Sequence, residues 1–193
     1  DKGISVGQAS TCVIRNNIIG NCNLGVGIKD QGSYALIENA TFYENGIAVS
    51  CFEKNLGAGG GSADVVNTIF SESDIVSLFA DELSSVNVIY SLSDTELPDG
   101  TGNIFDNPKF VNAEMKNFNL LPDSPCIDAG DPQYTDEDGS RSDIGAEIPV
   151  ENSTGALQKI VLNEINYNSS DNYDTGDWIE FYNPNNFRVD LSR

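Results

Sequence analysis

VIRNNIIGN (13–21), LIENATFYEN (36–45), VVNTIFSES (65–73) and VNVIYSLS (86–93) follow one another through the first half of a 193-residue chain. Aligned, they share an asparagine, at Asn16, Asn39, Asn67 and Asn87, and then an apolar column of Ile19, Phe42, Phe70 and Tyr90. The asparagines stand 23, 28 and 20 residues apart. A second ladder runs out of phase with the first: GISV (3–6), GVGI (25–28), GIAV (46–49) and DIVSL (74–78). A unit of twenty-odd residues with two short β-branched runs cannot bury a core alone. Stacked units can, because each strand pairs in parallel with its equivalent about 4.8 Å away and apolar positions line a shared interior. Asparagine suits the sharp turn between runs because it tolerates left-handed backbone. Stacked on one another, such side chains would satisfy amides along the stack, with the aromatic column inside.

These rungs, over residues 1–95, resemble the right-handed parallel β-helix, the fold of many secreted polysaccharide lyases, glycosidases and surface proteins. The prevailing right hand of parallel crossovers agrees with that hand. The 28-residue rung carries an extra loop, EKNLGAGGGSA (53–63). No helix start follows it, so it reads as a surface loop rather than a phosphate cradle.

Residues 96–148 break the rung pattern. NPKFVNA, NFNLLPDSPCIDAGDP and DEDGSRSDIGA occur there in that order. They resemble the terminal segment of bacterial secreted β-helix proteins, with Asn107 replacing an aspartate and Glu147-Ile148 replacing an aromatic residue. The resemblance implies a C-terminal cap over the last coil. An open apolar cross-section with unpaired edges invites aggregation and needs such cover. Phe110, Val111, Phe118, Leu120, Leu121, Cys126, Ile127 and Ile144 are the expected apolar cover.

The chain holds 10 Lys plus Arg, 30 Asp plus Glu and no His, a formal charge of −20. That balance argues against nucleic acid or an anionic membrane as partner. Without histidine there is no Ser-His-Asp triad, no Cys-His pair and no His-bound zinc. Cys12, Cys22, Cys51 and Cys126 fit no zinc or redox spacing. Cys126 has no base to make it a thiolate and has acidic neighbours, so it reads as a buried apolar residue. Asp136, Asp138 and Ser140 occupy positions 1, 3 and 5 of a DxDGS run, with Asp143 beyond and Glu147 at position 12. Alternate oxygen ligands about a glycine turn suit Ca2+. The rival reading is an Asp-rich turn in which Arg141 pairs with Asp143 or Asp138. No run of 18 apolar residues exists, so no membrane span is expected.

PVENSTGALQ (149–158) is polar and aperiodic, a linker. KIVLNEINYNSS and DWIEFYNPNN then alternate as strands. This pair, across residues 159–193, resembles the opening of a bacterial lamin-tail domain, an immunoglobulin-like β-sandwich. Glu164 and Glu180 recur in that family's first strands and read here as outward carboxylates rather than an acid/base pair. The expected fold class is thus all-β: a right-handed parallel β-helix with a C-terminal cap, then the first strands of a sandwich. The chain opens on Asp1 in mid-pattern, so it is expected to be a piece of a longer precursor.

DKGISVG is similar to the GHGISIG stretch of polygalacturonases, but Lys2 stands where their catalytic histidine would be. Arg15, Lys29 and Lys54 are the basic groups of the middle rungs, and no catalytic set emerges. The function expected is a non-catalytic end of a secreted or cell-surface protein that caps the coil, links to a further module and contacts polysaccharide. The alternative is the distal part of a polysaccharide lyase or glycoside hydrolase.

Overall fold

The computed structural model describes residues 2–136 and 138–147, with the strands Val161–Asn166 and Trp178–Tyr182. The chain divides into two compact units, Asp1–Ile148 and Pro149–Arg193.

The first unit makes repeated three-strand passes. Strands β1 (Lys2–Val6), β2 (Thr11–Arg15) and β3 (Ile18–Gly20) form the first pass. The second is β4 (Leu24–Lys29), β5 (Tyr34–Glu38) and β6 (Thr41–Tyr43). The third is β7 (Ile47–Phe52), β8 (Ser62–Val66) and β9 (Ile69–Ser71), and the fourth β10 (Val76–Ala80), β11 (Ser85–Ile89) and β12 (Leu92–Ser93). Strand β13 (Ile104–Phe105) adds one more partner. Equivalent strands pair in parallel, giving a first sheet β1-β4-β7-β10, a second β2-β5-β8-β11 and a third β3-β6-β9-β12-β13. The chain is therefore all-β with parallel sheets, as the two ladders imply.

Inside, Val26, Ile28, Ile37, Val49, Cys51, Val65, Phe42 and Phe70 are buried in one core. The Phe42 and Phe70 rings stack at 5.3 Å, 17° from parallel. A methyl group on Gly25 would come within 2.9 Å of Phe42 Cδ1, so glycine there makes room for that ring.

The asparagine column differs from its expected form in two ways. Asn16, Asn39 and Asn67 are left-handed, with φ of 53°, 46° and 50°. The fourth member is Tyr90 (φ 46°) and not Asn87. Val66 pairs with Ile89, which puts Tyr90 opposite Asn67, while Asn87 pairs with Asp64. The inward column accordingly continues from Phe70 to Ser93, because Phe70 pairs with Ser93. Nor do the asparagine side chains stack on one another. They face outward onto the 126–147 segment.

That segment corrects the expected cap. It folds back on itself, Gly130 N donating to Ser142 O at 2.8 Å and Ile144 N to Cys126 O at 2.9 Å. Its returning arm runs across the strands as a strap. Arg141 lies over the Tyr90 ring (5.5 Å) of the fourth pass. Asn67 of the third pass donates to Ser142 Oγ at 3.1 Å and accepts from Asp131 N at 2.6 Å. Thr41 of the second pass accepts from Ala146 N at 3.0 Å, and Asn16 of the first donates to Glu147 at 3.4 Å. Below the strap, Ile69 and Leu92 on the outer side of the third sheet join Cys126 and Ile144 in a second core. The expected apolar cover is thus a lateral one, and it is shared unevenly. Phe118, Cys126 and Ile144 are buried, whereas Val111 and Leu121 are exposed.

Between the fourth pass and the strap lie two smaller devices. Residues 94–103 cross the end of the stack, where Leu97 packs on the inner core. Asn103 there accepts from Ser91 N at 3.2 Å and donates to Val88 O at 3.0 Å, satisfying the last strand. An antiparallel hairpin, β14 (Phe110–Asn112) with β15 (Asn117–Leu120), then sets Phe118 5.2 Å from Tyr43.

In the second unit, β16 (Val161–Asn166) and β17 (Trp178–Tyr182) pair antiparallel, with Glu164 opposite Glu180. Two strands are not a sandwich, so the described residues do not show the immunoglobulin-like fold expected there. The expected linker, 149–158, lies outside the described residues.

Candidate functional site

The acidic turn comes first, since the sequence singles it out. Asp138 Oδ1 accepts from Ser140 N at 2.9 Å and Ser140 Oγ at 2.6 Å, a self-capped turn. Asp136 Oδ2 accepts from Asp143 N at 3.2 Å, and Asp143 Oδ1 from Asp128 N at 2.8 Å. Glu147 points to Asn16 at the far end of the strap. The candidate ligands Asp136, Asp138, Ser140, Asp143 and Glu147 are thus spread along one segment, and no group of three or more metal-ligating side chains is found among the described residues. One atom is left over: Asp136 Oδ1 is buried without a hydrogen-bond partner. Burial and then the Asp143 charge push the Asp136 carboxyl above its ordinary value. Arg141 pairs with neither Asp143 nor Asp138, as the rival reading would have it. Its guanidinium donates instead to the carbonyls of Gly130 and Ala129.

Cys126 is buried beneath the strap, and burial pushes its thiol up to about 12, with a Ser124 bond opposing. A thiol so disposed is no nucleophile at neutral pH. Among the described residues all four cysteines are free.

The glycine-rich loop is self-filled in the same way as the acidic turn. Glu53 Oε1 accepts from Gly57 N at 2.8 Å and Gly59 N at 3.0 Å, so a carboxylate already holds the amides a phosphate would need. Neighbouring turns repeat the device. Asp30 Oδ1 accepts from Lys54 N at 3.0 Å, and Asp81 Oδ2 from Glu53 N at 2.6 Å.

The outer face of the first sheet is different, because it offers side chains to solvent. A methyl on Gly27 would touch Lys2 Cδ and Phe52 Cε1, each at 3.6 Å, and Leu24 Cδ1 at 3.7 Å. Those three side chains therefore gather over Gly27, on the side away from inward Val26 and Ile28. Lys2 Nζ sits 5.3 Å from the Phe52 ring centre. Ser5, Gly27, Ser50 and Phe79 follow one another in register; Gly27 and Ser50 are buried beneath their neighbours, whereas Ser5 is exposed and the Phe79 ring is 43% exposed. Lys29 Nζ donates to Ser5 Oγ at 2.8 Å. Sequence reasoning noted Lys2 and Lys29 but not Phe52 or Phe79. The signal was available in the register, which puts Phe52 across from Lys29.

No protein-family model, no curated protein and no solved structure matches the chain. That finding corrects the resemblances drawn from the rungs, the PCIDAGDP segment and the NEINY and DWIEFY strands. The parallel sheets stand, but membership of the β-helix enzyme families and a lamin-tail domain do not. No helix among the described residues is long and apolar enough to cross a membrane.

Proposed function

We propose that this chain is a non-catalytic binding scaffold of a secreted or cell-surface protein, and that it contacts carbohydrate through the outer face of its first sheet. In this reading the three parallel sheets are the sides of one continuous coil. Residues 94–103 close one end, and the strap ties the passes. The observation that carries the binding claim is that the Phe79 ring, 43% exposed, the half-buried Phe52 ring and the exposed Ser5 hydroxyl share the outer face of the first sheet. The apolar face of a pyranose packs on an aromatic ring, while hydroxyls beside it exchange hydrogen bonds. Phe79→Ala leaves the fold intact, since that ring is largely outside the core, and weakens glycan binding by about tenfold. Calorimetry of the parent and variant against an oligosaccharide panel tests this, with circular dichroism as the control. Equal binding by the two proteins sinks the assignment of the face.

Calcium at the strap turn is a second proposal, resting on the orphaned Asp136 Oδ1. A cation there would neutralise the Asp136 and Asp143 charges that burial opposes. It predicts a rise in melting temperature at millimolar calcium that Asp136→Asn abolishes, and no rise ends the idea.

A further inference from the structure

Residues 2–29 contain Lys2, Arg15 and Lys29 and not one Asp or Glu, in a chain whose formal charge is −20. Two of these three cations lie on the outer face of the first sheet. Lys29 is on β4 and bonds Ser5, Lys2 stands over Phe52, and Phe52 is the register partner of Lys29. Lys54 follows Phe52 by two residues, and its backbone amide is held by Asp30. Burial of the Lys29 stem and then the Lys2 and Lys54 charges push its ammonium below the ordinary lysine value, with Asp30 opposing.

Two ammonium groups gathered on one face of so acidic a protein would be expected to draw carboxylates. They do not. Lys2, Lys29 and Lys54 make no ion pair among the described residues, where the ion pairs are those of Arg15, Lys109 and Lys116. Three carboxylates of the same turns bind backbone amides. Asp30 binds the amides of Lys54 and Asn55, Glu53 those of Gly57 and Gly59, and Asp81 those of Glu53 and Leu83. These carboxylates keep their charge but are turned to the backbone, so Lys2 and Lys29 form no contact ion pair with them. Mutual repulsion of like charges is a cost in the free protein that an anionic ligand relieves.

We infer that the Lys2–Phe52–Lys29 cluster is a binding site for an anionic glycan, one that lays a sugar ring on Phe52 and its carboxylate or sulfate groups against the lysines. This inference rests on the carbohydrate reading of the first sheet and narrows it to a charge class.

The test is calorimetry of the full chain at low salt against three probes: an oligouronate, the same oligomer as its methyl ester, and a sulfated oligosaccharide. The expected result is binding of the oligouronate or the sulfated probe at least about tenfold tighter than the ester. That binding weakens as salt is raised, and falls by a similar factor in Lys2→Gln/Lys29→Gln, whose circular dichroism and melting match the parent. Ester binding equal to that of the acid overturns the charge class while leaving the carbohydrate reading in place. No binding of any probe overturns both. Binding of the acidic probes that the double variant retains overturns the site.

Discussion

Asn67 ties the third pass to the strap through three hydrogen bonds. It is buried at a left-handed turn, gives its amide to Ser142 Oγ and takes the amide of Asp131, while its carbonyl accepts from Gly145 N. Asn67→Ala removes two side-chain bonds and puts a Cβ-only residue in a conformation asparagine tolerates better. The expected loss is about 3 kcal/mol, from bonds of about 1 kcal/mol each plus the left-handed cost. Urea unfolding measures it, and a loss no larger than that of Asn16→Ala, whose contact is exposed, would contradict it. Asp136 predicts the opposite sign. Its carboxyl is held above its ordinary value by burial and by Asp143, and Asp143 is itself raised by burial against the Asp128 amide bond. A carboxyl whose folded value is raised contributes stability below 3.8 that is lost as pH rises through the folded value. Asp136→Asn keeps an acceptor for Asp143 N and removes the charge. Its melting temperature should match the parent near pH 4 and exceed it increasingly toward pH 7, by up to about 1 kcal/mol of stability. A constant difference across that range would refute the linkage.

At the scale of the element, the parallel strands were legible because each has β-branched residues at a fixed period. So was the turn column, through Asn16, Asn39 and Asn67. The column failed at its fourth member because Tyr90 is left-handed without any residue type that announces it. The same blindness hid the second turn column, where Glu44 and Glu72 take φ of 52° and 54°. The strap was misplaced for a different reason. Its residues Cys126 and Ile144 read correctly as apolar cover, but a sequence does not say which of two uncovered surfaces the cover lies on. In the proposed coil the end is closed instead by Leu97, half-buried against the inner core, a single leucine in a stretch of Asp, Thr, Glu, Pro and Gly with no periodicity. Leu97→Asp should therefore open that end. The predicted signature is a loss of about 2 kcal/mol, with concentration-dependent association through the exposed edge. Sedimentation velocity checks it, and a variant that stays monomeric and as stable as the parent would mean Leu97 closes nothing. For the candidate site, the lysines were visible but their company was not. Only register brings Ser5, Gly27, Ser50 and Phe79 into line.

At the scale of the whole molecule, charge is distributed by position rather than by average. The formal −20 describes the acidic remainder, while residues 2–29 carry cations alone. An argument from net charge alone would have turned away the anionic ligand that this region best fits. The strap has a consequence of another kind. Stacked passes that touch only their neighbours behave as a linear array, free to fray from an end one unit at a time. A segment bonded to Asn16, Thr41, Asn67 and Tyr90 at once couples the first pass directly to the fourth. Fraying of any pass then breaks contacts belonging to all of them, so the array is converted into a cooperative body that melts in a single step.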